Sequence, residues 1–413
     1  MAAGVLIVGG GQAAVQIAVS LRELGWAAPI TIAAAEAHSP YQRPPLSKAF
    51  LSGDADVTSL AFRSDDFYER ERICLLRSHR VAGLDCAAPG RPGIATTTGG
   101  ERLEFDRLAL ATGARPRRLA VPGADLDGVC YLRDVSHAIE LRDRLQAANR
   151  VLVVGGGFIG LEAAAAARAK GKEVTVVEAT DRLIGRVVAP AVSDFYAEAH
   201  RRRGTSVVLG AAVSGFDAAE GVIAGAHLSN GEYVPADVVV IGIGAEPRVE
   251  LAQQLGLECA GGIVVDSCAR TSDPAIVAAG DCAITPHPGA VGGPVRLESV
   301  GHAIEHAKCA AATLVGAPAP YDAVPWFWSD QGTLKLQIAG LSSGFDQTVV
   351  RADTRAEKFS VFYYREGRLL AVHAVNSPRD YMAVRRALTA GQHISPEDAA
   401  DPGKPLRAVS AGV

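Results

Sequence analysis

Gly155, Gly157 and Gly160 stand at G-x-G-x-x-G spacing, directly after the apolar run "VLVV" and at the start of a helix-like run. That pattern suits a pyrophosphate: the glycines permit a tight turn, close backbone approach and close helix–strand packing. The helix start adds free N–H groups and the positive end of its dipole. Glu178 ends the next apolar stretch, "EVTVVE". A carboxylate there accepts hydrogen bonds from both hydroxyls of an adenosine ribose and repels the extra phosphate of NADPH, so the pattern points to NADH. The competing reading is a glycine-rich turn beside a surface glutamate. Gly9, Gly11 and Ala14 repeat the device as G-x-G-x-x-A after "VLIV". Its acidic partner is less regular. Ala34 fills the slot that Glu178 occupies in the other copy, and Glu36, two places further on, is the expected ribose ligand.

Two dinucleotide units in one chain suggest two dinucleotides, a tightly held FAD and an exchangeable NADH. Three features assign FAD to the first unit. "YQRPPLSK" follows its second strand and places Arg43 and Lys48 for pyrophosphate and isoalloxazine. "TSDPAIVAAGD" ends on Asp281, whose carboxylate can bind a ribitol hydroxyl. "LESVGHA" opens a helix at Val300 whose backbone N–H groups could face the flavin's pyrimidine carbonyl and stabilise anionic reduced flavin. Thr112 and Gly113, where the strand of "FDRLALATGARPR" ends, complete the expected cofactor-binding set.

The elements that must position these residues follow from the pattern. Each glycine segment leads into a helix ("QAAVQIAVSLRELG", "FIGLEAAAAARAKG") and a second strand ("PITIAAAE", "EVTVVEA"), and Gly25 and Gly171 end the two helices. "FDRLALATGARPR" and "ADVVVIGIGAEPR" match each other, and each closes one nucleotide-binding unit. From about Tyr321 the pattern changes to antiparallel strands with a Glu366-Gly367 turn, then a closing helix and a Pro/Gly-rich tail expected to fray in part. The expected division is an FAD-binding domain over 1–113 and 245–320, an NAD-binding domain over 114–244 and an α+β domain over 321–413.

Composition excludes other classes. At 413 residues the chain exceeds one ordinary core. A net charge of -4 is unlike the basic footprint of a nucleic-acid binder. The N-terminal segment carries no basic n-region or cleavage site, and no run is apolar and long enough to span a membrane, so a cytoplasmic protein is expected. Seven scattered cysteines without a CxxC pair read as reduced and mostly buried. The histidines show no metal spacing apart from His302 and His306, for which solvent-facing or capping roles are expected over metal binding.

Across nearly its whole length the chain resembles the NADH-dependent ferredoxin reductases of bacterial oxygenase systems, of the putidaredoxin-reductase and biphenyl-dioxygenase-reductase type. The resemblance rests on "VLIVGGGQAA", "YQRPPLSKAFL", "LALATGARPR", "VLVVGGGFIGLEAAAAA", "VTVVEATDRLIGRVV", "TSDPAIVAAGDCA" and "VPWFWSDQ". It implies a glutathione-reductase-like α/β fold, with two Rossmann-type dinucleotide-binding domains and a C-terminal α+β domain. It implies electron transfer from NADH through FAD to a small [2Fe-2S] ferredoxin that feeds a cytochrome monooxygenase or ring-hydroxylating dioxygenase, by a monomer or weak homodimer. It also implies that Lys48 lies near flavin N5 and pairs with Glu162, that Trp328 stands beside the flavin, and that Glu178 and Arg186 hold the NADH adenosine. Val300 and His302 stand where the family often has Trp and Asn.

Disulfide reductases of this fold carry a Cys pair just past the first βαβ unit, and NADH oxidases and peroxidases a single Cys. Here that region reads "SPYQRPPLSKAFLSG", without cysteine. The expected outlet is therefore a one-electron carrier docked near the flavin edge. Ferredoxins are usually acidic, so Arg201–Arg203 and Arg385 with Arg386 are candidate docking residues, with solvated helix faces as the alternative. Other readings are a rubredoxin reductase, an NADH oxidase-like flavoprotein and, in a different class, an apoptosis-inducing-factor-like partner-binding flavoprotein.

Overall fold

The computed structural model describes residues 3–86, 92–353 and 357–410. The chain divides into two compact units, one of residues 1–42, 60–115 and 246–326, the other of 43–59, 116–245 and 327–413.

In the first unit the strand Val5–Val8 lies at the centre of a parallel five-stranded sheet, in the order Ile276–Ala278, Arg107–Leu110, Val5–Val8, Ile30–Ala33, Ile73–Leu76. Both neighbours and both faces cover the central strand, so all four of its residues are apolar and buried. The helix Gln12–Glu23 packs against the helix Val300–Leu314 through a small-residue and aliphatic core that includes Ala14, Ile17, Leu21, Ala307, Ala310 and Leu314. Gly25, with φ of 82°, takes the left-handed turn that ends the first helix.

The second unit contains the same plan. Arg150–Val154 is central, between Glu173–Glu178 and Val238–Ile241, with Thr205–Leu209 and Val129–Tyr131 outside, all parallel. The repeat extends beyond the glycine motifs. Each unit adds an antiparallel three-stranded sheet, Val81–Asp85 with Gly93–Thr97 and Arg102–Phe105 in the first, Val213–Ala219 with Val222–Leu228 and Tyr233–Pro235 in the second. The second unit also holds a C-terminal sheet in the order Trp326–Gln331, Leu334–Gly340, Arg368–Val375, Lys358–Arg365, Gln347–Asp353. The helix Pro378–Thr389 covers it through Tyr381, Val384 and Ala387.

The described part of the tail makes contacts as far as residue 410: Arg351 donates to the carbonyls of Asp401, Pro402 and Lys404, and Val409–Ser410 pairs with Gln392–His393. Residues 411–413 lie outside the described residues. His302 and His306 do not face solvent; both are fully buried, because i, i+4 spacing puts them on the inward face of the helix Val300–Leu314. The cysteines are all free, but only Cys130, Cys282 and Cys309 are buried, and Cys74 is exposed. Among the described residues no helix is long and apolar enough to cross a membrane, and no cluster of His, Cys, Asp or Glu could hold a metal ion.

Candidate active site

The two glycine loops are the same object in two places. Gly9 and Gly155 take φ of 136° and 105°, which only glycine adopts at little cost. At both, a Cβ would overlap a carbonyl oxygen of the neighbouring strand's end, that of Ala111 in the first unit and of Gly242 in the second. Gly160 is held by proximity instead: a Cβ there would overlap the carbonyl oxygen of Gly155, so the helix sits directly on the loop. Gly11 and Gly157, by contrast, face space. A Cβ on Gly11 would meet no atom within 4 Å, and one on Gly157 only the Gly242 oxygen at 3.7 Å. Both residues are helix N-caps without a side-chain capping hydrogen bond. Each helix therefore starts with first-turn N–H groups that no capping side chain occupies, the donor set a pyrophosphate requires. The residues present fit two dinucleotides.

The acidic partners differ. Gly155 N–H bonds to Val177 O and Gly9 N–H to Ala33 O, so the next residues in register are Glu178 and Ala34. A Cβ on Gly156 would lie 3.3 Å from the Glu178 Cβ, and one on Gly10 2.8 Å from the Ala34 Cβ. In the second unit the Glu178 carboxylate is fixed on both oxygens: Oε2 accepts from Gly156 N–H (2.7 Å), Oε1 from the Thr180 N–H and hydroxyl (both 2.8 Å). Thr180 escaped the sequence reading, although a hydroxyl two residues beyond an acid is a recurrent local acceptor–donor pairing. In the first unit the Tyr41 hydroxyl donates to Glu36 Oε2 at 2.5 Å, and Glu36 O accepts from Ser78 N–H. Glu36 is thus placed by its own contacts, two residues beyond the regular slot.

Around the first loop stand Asp281 and Thr112. Gly280, with φ of 82°, brings the turn before Asp281 to the first helix: a Cβ on it would lie 3.1 Å from the Ala13 Cβ. The Asp281 carbonyl accepts from Arg296, which also pairs with Glu298. Thr112 spends its hydroxyl on the Arg248 carbonyl (2.7 Å), and Gly113 O accepts Arg248 N–H. Val300 begins its helix behind the N-cap Ser299, whose oxygen takes the His302 N–H. His302 Nδ1 lies 2.9 Å from the Tyr321 hydroxyl, and burial pulls the imidazole down to about 4.

The second unit contains the other residues. Arg43 donates to the Arg133 carbonyl, and Arg186 lies beside the Gly242–Gly244 turn, its guanidinium 3.4 Å from where a Gly244 Cβ would be. Phe327 packs against Phe158 with the rings tilted and their centroids 4.6 Å apart, next to Trp328 in the same strand. Lys48 follows the 3-10 turn Pro44–Ser47 and its ammonium meets Glu162 Oε2 at 2.7 Å, also donating to Pro44 O. Glu162 lies one turn into the helix Phe158–Ala169 and is 2 % exposed. Sequence reading gave this pair only by resemblance; it missed the two hydroxyls that complete it. Ser47 donates to Oε2 at 2.5 Å and Ser329 to Oε1 at 2.6 Å. A carboxylate this buried is tolerable only with such donors, and removing one partner of a buried pair costs about 3–5 kcal/mol.

The basic run Arg201–Arg203 is largely internally engaged. Arg202 pairs with Glu198 and Glu357, Arg203 with Glu357, and Arg201 donates to Val207 O. The two guanidiniums hold the Glu357 carboxyl below its ordinary range. Arg385 donates to the Tyr381 hydroxyl and Arg386 to Met382 O.

Known proteins match this arrangement along the chain. The family model described as pyridine nucleotide-disulphide oxidoreductase matches residues 3–311, and one described as reductase C-terminal matches 326–410. Rhodocoxin reductase of Rhodococcus erythropolis is 46% identical over 397 residues, covering 96% of this chain and 92% of that protein. The crystal structure of the ferredoxin reductase for the CYP199A2 system from Rhodopseudomonas palustris superposes with a TM-score of 0.92 at 43% identity, covering 96% of this chain and 97% of that one. The reductase in a covalent putidaredoxin reductase–putidaredoxin complex gives a TM-score of 0.92 at 38% identity, covering 97% and 96%. With two uncapped glycine loops, a carboxylate fixed beside the second of them and matches along nearly the whole chain, the chain belongs to the pyridine nucleotide-disulphide oxidoreductase family.

Proposed function

We propose that this protein takes electrons from NADH onto FAD and passes them singly to a [2Fe-2S] ferredoxin that feeds an oxygenase. It is a flavin-dependent oxidoreductase with FAD and NAD(H) as cofactors. The observation that carries the choice of acceptor is the segment after the first βαβ unit. It supplies Lys48 and Ser47 to Glu162 and contains no cysteine, so no thiol stands ready to receive the electrons. When bound, FAD supplies the step between a two-electron donor and a one-electron acceptor.

The chain's own residues do the binding and the orienting. The Gly9–Gly11 loop, Ala14, Glu36, Arg43, Thr112, Gly113, Asp281, Trp328 and the Val300 backbone hold FAD. The Gly155–Gly160 loop holds the NADH pyrophosphate, Glu178 accepts from the adenosine ribose and Arg186 closes over the adenosine side. Lys48 sets positive charge at the flavin's reacting edge and Glu162 orients it. The assignment of 1–113 and 245–320 to FAD, 114–244 to NAD and 321–413 to an α+β domain belongs to the same proposal, as do a cytoplasmic location and a monomer or weak dimer.

Steady-state NADH oxidation tests the reading, run with a [2Fe-2S] ferredoxin, with rubredoxin and with no carrier. The ferredoxin should raise turnover at least tenfold over both. Equal rates with and without it refute the acceptor, and stimulation by rubredoxin alone moves the protein to that class.

A further inference from the structure

We propose that His200, Gln331 and Ser329 form a one-directional hydrogen-bond chain ending on Glu162, and that it sets the charge and position of the Lys48–Glu162 pair. The inference rests on the assignment of Lys48 to the flavin side given above, and it names three positioning residues that no part of that assignment uses.

The strand Trp326–Gln331 alternates, so Ser329 and Gln331 share one face, and both are buried. His200, in the helix Pro190–Arg202, is buried as well. Three polar side chains on an inward face need a joint purpose, since apolar groups would pack there at lower desolvation cost. Their hydrogen bonds have a fixed sense. His200 Nε2 lies 2.8 Å from Gln331 Oε1, and an amide oxygen only accepts, so the imidazole carries its proton on Nε2. Burial pulls His200 below the ordinary histidine range, which keeps the ring neutral at pH 7. Gln331 Nε2 donates to Ser329 Oγ at 3.3 Å. With its oxygen accepting, Ser329 gives its one proton to Glu162 Oε1 at 2.6 Å. Every donor points toward the carboxylate, and each polarises the next. The amide in the middle does not relay a proton as a hydroxyl does, so the chain holds and polarises.

Glu162 Oε2 serves Lys48 and Ser47, while Oε1 serves Ser329. The chain therefore draws charge toward Oε1. Without it the anion concentrates on Oε2, binds Lys48 more tightly and cancels more of its positive field. Reduced flavin, which gains negative charge, then loses stabilisation. A single charge-assisted hydrogen bond is the size of effect at stake.

The test uses the FAD-loaded full chain and reads the flavin midpoint potential by anaerobic titration against a reference dye, with stopped-flow NADH binding and reduction alongside. Ser329→Ala and Gln331→Leu should each lower the equilibrium constant for reduction about tenfold, which is about 30 mV for a two-electron couple. The NADH Kd should stay unchanged, and Ser329→Thr should restore the potential. Gln331→Leu does not touch Glu162, so it reads the chain even if Ser329→Ala loads FAD poorly. Unchanged potentials in both variants, or a fall that Ser329→Thr does not reverse, overturn the inference while leaving the proposed function intact. A wild-type protein whose flavin NADH cannot reduce overturns both.

Discussion

Glu178→Ala should cost NADH far more than NADPH. Both carboxylate oxygens are fixed before any ligand arrives, by Gly156 N–H at 2.7 Å and by the two Thr180 donors at 2.8 Å, so the ribose meets a pre-oriented acceptor. Hydrogen bonds to a charged group contribute about 1.5–3 kcal/mol each. Two ribose hydroxyls at this half-buried site take the lower end, about 3 kcal/mol together, or about 100-fold in kcat/KM for NADH. The charge also repels a 2′-phosphate. Two unit charges about 4 Å apart interact by about 1 kcal/mol in water and about 4 at an effective dielectric of 20. An intermediate value of about 2 kcal/mol gives NADPH about a 30-fold gain when the carboxylate goes. The preference for NADH should therefore fall by about three orders of magnitude. Steady-state kcat/KM for both nucleotides, on protein with full FAD content, measures it. A ratio unchanged within threefold would falsify the role given to Glu178 and, with it, the assignment of NADH to the second glycine loop.

Three further outcomes follow from the same structure. Lys48→Ala should retain FAD yet slow its reduction by NADH about 10- to 100-fold in stopped-flow, since it removes the charge and leaves Glu162 buried with two hydroxyls; a wild-type rate contradicts the role. Gly160→Ala should destabilise the second unit by at least about 1–3 kcal/mol, because its Cβ would meet backbone oxygen that cannot give way; an unshifted thermal midpoint contradicts the packing. His302 is pulled down to about 4 by burial, so from pH 6.5 to 4 the unfolded chain binds the extra proton and stability rises with pH, up to about 1.4 kcal/mol per unit. The drop in thermal midpoint between pH 7 and 5 should be smaller in His302→Asn than in the wild type, and an equal drop contradicts the assignment.

What the sequence made legible was local. A loop that needs positive φ at Gly9 and Gly155 can hardly be written without glycine, and an apolar strand buried on both faces announces itself, so both βαβ units could be read directly. The slip of the first acid from Ala34 to Glu36 was also visible, because the strands share a register. What stayed hidden depends on contacts between distant segments. Ser47 and Ser329 look like any loop or strand serines until the fold brings them to Glu162, 115 and 167 residues away in sequence. The pairing of Arg202 and Arg203 with Glu357 was hidden as well, because that carboxylate lies some 150 residues on. The burial of His302 and His306 was hidden because their helix is built largely of alanine and other small apolar residues around most of its circumference, so periodicity did not mark the buried face. The antiparallel sheets that extend the repeat carry no shared motif, only the same order of short strands.

The most direct measurement of the central claim is a single-turnover experiment. The FAD-loaded protein is reduced with one equivalent of NADH without oxygen, then mixed with excess oxidised [2Fe-2S] ferredoxin while the flavin and iron–sulfur absorbances are followed together. Two ferredoxins should be reduced per flavin reoxidised, at a rate at least matching steady-state turnover. A flavin that stays reduced in the presence of ferredoxin, and is reoxidised only when oxygen is admitted, would contradict the account.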